Sequence, residues 1–255
     1  MDALLHTRDL AVGHGDSVLL ERLALDLSPG SVRALIGVNG AGKSTLLRTL
    51  AGLHPPLAGQ VFVAGRDLAT LGAIERAREV SVVLTGRPPT GGLTVHTLVG
   101  FGRQPWTGHL GRLGPKDRSI VDDALERAGA TALADRSVDQ LSDGECQKVM
   151  IARALAQGTP VLLLDEPTAF LDLTHRVRTI HLLRSIAHET GRAVLFSTHD
   201  LQLALDLADA LWILRQDRAV WKGTAQDAVS SGAIADAFDD ATVRFDPQAG
   251  TFRTR

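Results

Sequence analysis

The sequence has no tyrosine, two methionines and one cysteine, and aromatic residues fill only 4% of its 255 positions. A lone Cys146 excludes an internal disulfide and any zinc cluster built on cysteines, and it points to a reducing compartment. No apolar run approaches the roughly 20 residues that a membrane span needs. The opening Met1-Asp2-Ala3-Leu4-Leu5-His6-Thr7-Arg8-Asp9 has neither a basic n-region nor an apolar h-region, so it does not read as a signal peptide. If the protein works at a membrane, it does so from the side, through a partner. Neither sign of charge is in excess: 27 Lys and Arg face 29 Asp and Glu, so nothing draws the whole chain to nucleic acid or anionic lipid. Heptad runs, basic tails, internal repeats and low-complexity segments are lacking too. What is present is an ordinary globular composition, 44% hydrophobic, in a chain long enough to bury about 70% of its unfolded surface.

The pattern along the chain predicts an α/β protein. Ala3 to Val12 and Ser17 to Leu27 read as strands separated by the turn cluster Gly13-His14-Gly15-Asp16. Val32 to Ile36 is a short apolar run that suits a buried strand, and a glycine-rich loop and a helix from about Lys43 to Ala51 follow it. Gln60 to Ala64 and Val80 to Leu84 read as further strands around a helical Ile74 to Glu79. Composition then shifts: Thr85 to Leu93, rich in Gly, Pro and Thr, marks a linker. Helical segments are predicted over Thr94 to Gly102, Asp117 to Ala128 and Ser142 to Gln157. After Thr159-Pro160 the alternation returns, with strands at Val161–Leu164, Ala193–Ser197 and Leu211–Leu214 and helices at His175–His188 and Leu201–Asp209. This order predicts a parallel α/β domain with a helical insertion, closed by a small C-terminal tail.

Two motifs carry chemistry on their own. Gly37-Val38-Asn39-Gly40-Ala41-Gly42-Lys43-Ser44 fits G-x-x-x-x-G-K-[ST] and lies between a strand and a helix, as its mechanics require. Its glycines let backbone N–H groups curl around an anion, at which the following helix points its N-terminal dipole. Lys43 then reaches the β- and γ-phosphates, and the Ser44 hydroxyl can ligate Mg²⁺. Val161-Leu162-Leu163-Leu164-Asp165-Glu166 is a buried strand ending in two carboxylates. Asp165 can hold Mg²⁺ through water, and Glu166 can polarise an attacking water as general base. Together the motifs predict an enzyme that hydrolyses a nucleoside triphosphate with Mg²⁺, and leave open what the energy is used for.

Three further segments fall in a telling order: Leu141-Ser142-Asp143-Gly144-Glu145 opening a helix, Ala169-Phe170-Leu171-Asp172 after Glu166, and Ser197-Thr198-His199-Asp200 after the next strand. This set resembles the nucleotide-binding subunit of ABC transporters over essentially the whole chain. The resemblance implies a P-loop NTPase (RecA-like) parallel-sheet core, residues 1–85 and 159–255, with an N-terminal antiparallel β subdomain and an inserted α-helical subdomain over 86–158. It implies a head-to-tail homodimer, with each ATP between one subunit's phosphate loop (Asn39 to Thr45) and the other's signature residues Ser142, Gly144 and Glu145. His199 would hydrogen-bond the γ-phosphate and hold Glu166 and water in place, and Asp172 would tie the two sites together. Ser142 is a natural N-cap there, and Gly144 permits close backbone approach.

The chain departs from the family at three places. His14 stands where an aromatic ring usually stacks on adenine. Asp143 and Glu145 replace Gly and Gln of the usual signature, and an Asp beside a phosphate is unfavourable unless it points away. Thr85 stands where a Gln usually ends the strand before the helical insertion; it keeps an oxygen for Mg²⁺ or water. Val99-Gly100-Phe101-Gly102-Arg103-Gln104-Pro105, and the stretch Leu141 to Leu173, resemble the ATPases of ferric-siderophore, haem and vitamin B12 importers, the iron-siderophore members above all. That branch implies two copies of an integral-membrane permease, received by a groove on the helical insertion near Trp106. It also implies a periplasmic or lipoprotein binding protein acting indirectly, residence on the cytoplasmic face of the membrane, and no nucleic acid partner. Cys146 is expected to be a small residue of the signature helix, and His175, His181 and His188 to be solvated.

Overall fold

The computed structural model describes residues 3–87, 91–108 and 111–254. The first two residues and the centre of the predicted linker, Pro88-Pro89-Thr90, lie outside the described residues. In chain order the elements are β1 (Leu5–His14), β2 (Ser17–Leu23), β3 (Asp26–Leu27), β4 (Val32–Ile36), α1 (Lys43–Leu50), β5 (Ala58–Val63), β6 (Arg66–Asp67), α2 (Ala73–Glu79) and β7 (Val80–Val83). Then come α3 (Val95–Gly100), α4 (Pro115–Arg127), α5 (Asp143–Gln157), β8 (Val161–Leu164), α6 (Leu173–Thr190), β9 (Ala193–Ser197), α7 (Leu201–Leu207), β10 (Ala210–Leu214), β11 (Val220–Gly223), α8 (Ala225–Ser230), α9 (Ala233–Phe238), β12 (Val243–Asp246) and β13 (Thr251–Thr254).

A six-stranded sheet in the order β11-β10-β4-β9-β8-β7 is parallel except for the edge strand β11. Its strands read as continuous apolar runs because both faces are covered. The alternation of side chains sorts them: Ala34, Ile36, Leu162, Leu164, Val194, Phe196, Leu211 and Ile213 face the core under helices α3 to α9. Leu35, Val161, Leu163, Leu195, Trp212 and Leu214 face a second core, shared with α1 and with the antiparallel sheet β2-β1-β5-β6. Each fully buried Leu or Ile contributes roughly 1.5–3 kcal/mol. A slip of one residue would exchange the two faces of a strand, so this double burial fixes the register from which the loops depart. All four central strands, β4, β8, β9 and β10, run the same way, so the loops after β4, β8 and β9 emerge at one end.

The structure amends several boundaries. The strand predicted over Ser17 to Leu27 is two: β2, irregular in register and with Arg22 at φ 54, ends at Leu23, its last pair with β1, and the chain resumes as β3 against the start of β1. The helix predicted over Thr94 to Gly102 tightens after Gly100 into a 3-10 stretch, Phe101–Trp106, where Gly102 and Pro105 disfavour a regular α-helix. The C-terminal part is more than a small tail. It forms two short helices and the hairpin β12–β13, and Phe245 of that hairpin is buried against the core with Ile234 and Ala237 of α9. No helix among the described residues is long and apolar enough to cross a membrane.

Candidate active site

The loop between β4 and α1 is shaped by two glycines. A Cβ at Gly37 would stand 2.8 Å from the Leu214 Cβ, and Gly42 sits at φ 100 as the N-cap of α1, in the left-handed region open to glycine. With no side chain capping α1, its first N–H groups are left to an incoming anion. Lys43 is buried at 7% exposure, and its ammonium donates to the carbonyls of Gly37 (2.8 Å) and Val38 (3.2 Å) in its own loop. Burial pushes its pKa down, opposed by the charges of Glu166 and Asp165. Asn39 and Gly40 are exposed at the loop tip, Ala41 closes it by an N–H bond to the Val38 carbonyl (3.2 Å), and the Ser44 hydroxyl has no partner among the described residues. Thr45 is turned the other way. Its hydroxyl lies 3.0 Å from Nε2 of His14, whose ring also meets His54 edge-on. His14 therefore stands beside the first turn of α1, with its ring already engaged.

The ends of β8 and β9 build the opposite wall. Asp165, 4% exposed, accepts a 2.7 Å bond from the Ser197 hydroxyl, and the same hydroxyl oxygen accepts the Glu166 N–H at 2.9 Å. One buried serine thus fixes both positions. Glu166 itself sits at φ 48, a conformation that costs a non-glycine residue of order 1–3 kcal/mol and persists when its surroundings hold it. Two residues past Ser197, the His199 Nδ1 lies 3.6 Å from the Glu166 carboxylate. The Thr85 hydroxyl donates to the Asp165 carbonyl at 2.8 Å, which leaves lone pairs on its oxygen, and Asp165 N–H closes the link to β7 through the Val83 carbonyl at 2.8 Å. Lys43, Thr85, Asp165, Glu166 and His199 are therefore gathered at one end of the sheet. Ser197 completes them; its signal was a hydroxyl closing an otherwise apolar strand.

The signature segment forms a separate unit. Ser142 caps α5 through the Glu145 N–H (3.3 Å) while the Glu145 carboxylate returns to the Ser142 N–H (2.8 Å), a reciprocal capping box. The second Glu145 oxygen takes Arg136 at 2.9 Å, and the Ser142 backbone N–H is the main cause that holds this carboxyl below the usual carboxylate range. Asp143 is clamped by Arg87 through two nitrogens, at 2.8 and 3.0 Å, and Arg87 also donates to the Leu141 carbonyl at 2.7 Å. Arg87, in the predicted linker, was not singled out by sequence reasoning; it neutralises the acidic residue that departs from the usual signature. Gly144 packs on the start of α6, where an added Cβ would stand 3.3 Å from His175 Cδ2. Asp172 caps α6 through the His175 N–H (2.8 Å), and the His175 ring returns to its carboxylate at 2.9 Å. Of the three histidines predicted to be solvated, His175 is thus held by Asp172 and His188 lies 3.2 Å from Asp209, while His181 is exposed. Cys146 is buried on α5 as expected. Among the described residues no hydrogen bond or ion pair joins Ser142, Gly144, Glu145 or Asp172 to the phosphate loop of the same chain.

A phosphate loop facing a strand-end Asp-Glu pair, with a signature helix set apart from both, is the arrangement that the sequence comparisons meet. The family model described as ABC transporter matches residues 20–169. The chain belongs to the ABC transporter family. It is 37% identical over 245 residues to the iron(3+)-hydroxamate import ATP-binding protein FhuC of Bacillus subtilis, covering 96% of this chain and 91% of that protein. To the ferric enterobactin transport ATP-binding protein FepC of Escherichia coli K12 it is 36% identical over 250 residues, 98% of this chain and 92% of that one. Among solved structures, a metal-chelate type ABC transporter in an inward-facing conformation superposes with a TM-score of 0.82 at 27% identity, covering 93% and 89% of the two chains. A cassette solved as a dimer in a post-hydrolysis state, bound to ADP and Pi, gives 0.74 at 25% identity over 87% and 98%. The cassette fold read from the sequence is thus the fold observed, and the relatives include ATP-binding subunits of siderophore import systems.

The oxygen donors suit Mg²⁺. Ser44 and Thr85 offer hydroxyl oxygens, and Asp165 keeps one carboxylate oxygen that takes no bond from Ser197. A hard cation shared with substrate phosphates needs only one or two protein carboxylates.

Proposed function

We propose that this cassette is the ATP-hydrolysing subunit of an importer for an iron–siderophore complex, working through a partner permease. The observation that carries the reading is the grouping of Lys43, Asp165, Glu166 and His199 at one end of the sheet, with Ser197 holding Asp165 and Glu166, in a chain whose relatives serve siderophore import. In the proposed reaction the phosphate loop, Asn39 to Thr45, and Lys43 bind the ATP phosphates. Lys43 exchanges its two loop carbonyls for phosphate oxygens, so the ammonium is already placed. Mg²⁺, when bound by Ser44 and, through water, by Asp165 and Thr85, supplies charge neutralisation to the β- and γ-phosphates. Glu166 accepts a proton from the attacking water as oxygen bonds to the γ-phosphorus. The bond from that phosphorus to the bridging oxygen breaks, and the electron pair leaves on ADP. His199 positions Glu166 and donates to the γ-phosphate, a geometry its 3.6 Å spacing to Glu166 supports. His14 lines the adenine side.

The second half of each site comes from a second copy, through Ser142, Gly144, Glu145 and Asp172. Phe170 and Leu173, 78% and 72% exposed on either side of Leu171-Asp172, leave an apolar rim that a second copy would cover. The insertion, residues 86–158 between the core segments 1–85 and 159–255, would swing on closure. The permease groove expected on the insertion near Trp106 is extended to the neighbouring core face, where Leu53, 53% exposed, lines a recess of about 300 Å³ with Leu68 and Arg76 and where Ile74 of α2 is 61% exposed. Trp106 takes a smaller part: its indole N–H is spent on the Gln157 carbonyl (2.7 Å), and Arg78 and Arg103 lie over its ring. Two permease copies, a peripheral position on the cytoplasmic face and a periplasmic or lipoprotein binding protein complete the proposed assembly.

Cobalamin is the second reading, favoured by a 40% identity over 233 residues to the cobalamin import ATP-binding protein BtuD of Halobacterium salinarum, of which the match covers 58%. The test is ferric-siderophore uptake in cells lacking the protein, complemented with wild type or Glu166→Gln. Uptake restored by wild type alone supports the reading. Uptake unchanged by the deletion under iron starvation, with no redundant system, moves the cargo to haem or vitamin B12.

A further inference from the structure

The starts of β8 and β9 lie at the end of the sheet opposite the phosphate loop, because both strands run parallel to β4. There a recess of about 430 Å³ opens between α4, the C-terminus of α5 and the turn from α6 into β9. Four cations line it, Arg103, Lys116, Arg127 and Arg192, against one lining acid, Asp123. Arg103 is matched by Asp117 at 3.0 Å, and Arg127 by Asp123 at 2.9 Å with Glu189 further out at 3.8 Å. Lys116 and Arg192 make no ion pair within 4 Å among the described residues, and only the charge of Asp117 reaches Lys116 and that of Asp123 reaches Arg192. Arg192 is half-buried, and both of its terminal nitrogens reach only the Leu155 carbonyl, at the long distance of 3.5 Å. Burial pushes this guanidinium down and Arg127 pushes it the same way, opposed by Asp123, and an arginine does not answer by losing its proton. A half-buried cation with only long hydrogen bonds, beside a second cation, gains when an anion joins them.

We propose that this recess binds a phosphate-bearing small molecule, gripped by Arg192, Lys116 and Arg127, at a site separate from the phosphate loop. Guanidinium pairs match tetrahedral oxyanions through charge-assisted bonds. The recess is much larger than a bare phosphate ion, which leaves room for an organic group against Trp106 and Ile120. An occupant would tie α4 to the α6–β9 turn.

The test is titration of the full chain with inorganic phosphate and with glycerol 3-phosphate, read by thermal unfolding and ³¹P line broadening. The Lys43→Ala background keeps the phosphate loop from dominating. The proposal expects a saturable rise in Tm that chloride at equal ionic strength does not reproduce. Lys116→Gln and Arg192→Gln should each weaken it by about tenfold or more, the effect of losing a charge-assisted bond. Lys116 is exposed, so its variant keeps the fold if Arg192→Gln does not. If Lys43→Ala fails to fold, the difference between wild type and Lys116→Gln gives the same readout. No saturable binding, or affinity in Lys116→Gln and Arg192→Gln unchanged from the parent protein, overturns the proposal. Phosphatidylcholine vesicles with and without phosphatidic acid separate the two sources of the group. Sedimentation with the acidic vesicles, lost in Lys116→Gln, assigns a lipid headgroup; glycerol 3-phosphate binding without it assigns a free phosphoester.

Discussion

The two halves of the proposed ATP site differ in how they are held. The phosphate-loop half is buried and knitted into strand ends: Lys43, Asp165 and Ser197 are at most 7% exposed and each is hydrogen-bonded within the chain. The signature half is open to solvent. Ser142 and Asp143 are exposed, and so is the pairing of Asp172 with His175; Asp143 and Glu145 are balanced by Arg87 and Arg136, and Asp172 is hydrogen-bonded by His175. The first half is rigid before any ligand arrives. The second is a charge-balanced surface, built to meet something brought from outside. Changes in the first half should therefore alter ATP binding in one copy alone, and changes in the second should alter it only when two copies meet.

The largest break should come from Glu166→Gln. Loss of the general base lowers ATP hydrolysis by about 10²–10⁴-fold, followed by phosphate release. If the halves meet across two copies, the same variant accumulates an ATP-bound dimer on gel filtration; a monomer throughout counts against the division. Lys43→Ala removes a charge-assisted contact to phosphate and should weaken nucleotide binding by roughly 10- to 100-fold in calorimetry. Undiminished affinity would mean that the loop does not hold the phosphates. Ser197→Ala leaves Asp165 and the Glu166 N–H without a buried partner. It should cost about 1–3 kcal/mol in denaturant unfolding and slow hydrolysis with little change in ATP affinity.

The exposed half responds more weakly. Ser142→Ala removes the α5 cap, about 1 kcal/mol of stability, and should reduce the dimer trapped by Glu166→Gln while leaving single-copy ATP affinity intact. The smallest effect is pH dependence. The Glu145 carboxyl is held below its ordinary value by the Ser142 N–H, so its contribution to stability is complete above the ordinary glutamate pKa. That contribution disappears as pH falls through the lowered value, and Glu145→Gln should flatten the acid limb of the stability profile there. An unchanged acid limb would show that the capping box is already lost in solution.

The same contrast explains what could be read from the sequence. The phosphate loop and the Asp165-Glu166 pair are contiguous, and the apolar strands before them predict where they emerge. Ser197 and Arg87 were harder because their partners lie 32 and 56 residues away, at Asp165 and Asp143, and become neighbours only once strands and helices pack. The role of His175 was missed for a local reason: a histidine three residues past an N-cap aspartate reads as a solvated helix position until its ring is seen turned back on the cap. The C-terminal helices are short and rich in Ala and Asp, so their periodicity carries little signal, and tertiary burial of Ile234, Ala237 and Phe245 decides their structure.

Ser197 has one more consequence. A single hydroxyl joins the carboxylate assigned to the metal side and the backbone of the residue assigned to the water, and His199 follows on the same strand end. The two groups therefore cannot be misplaced one at a time. Any movement that shifts the end of β9 against β8 takes both out of position together, so the site behaves as one latch that is either set or released.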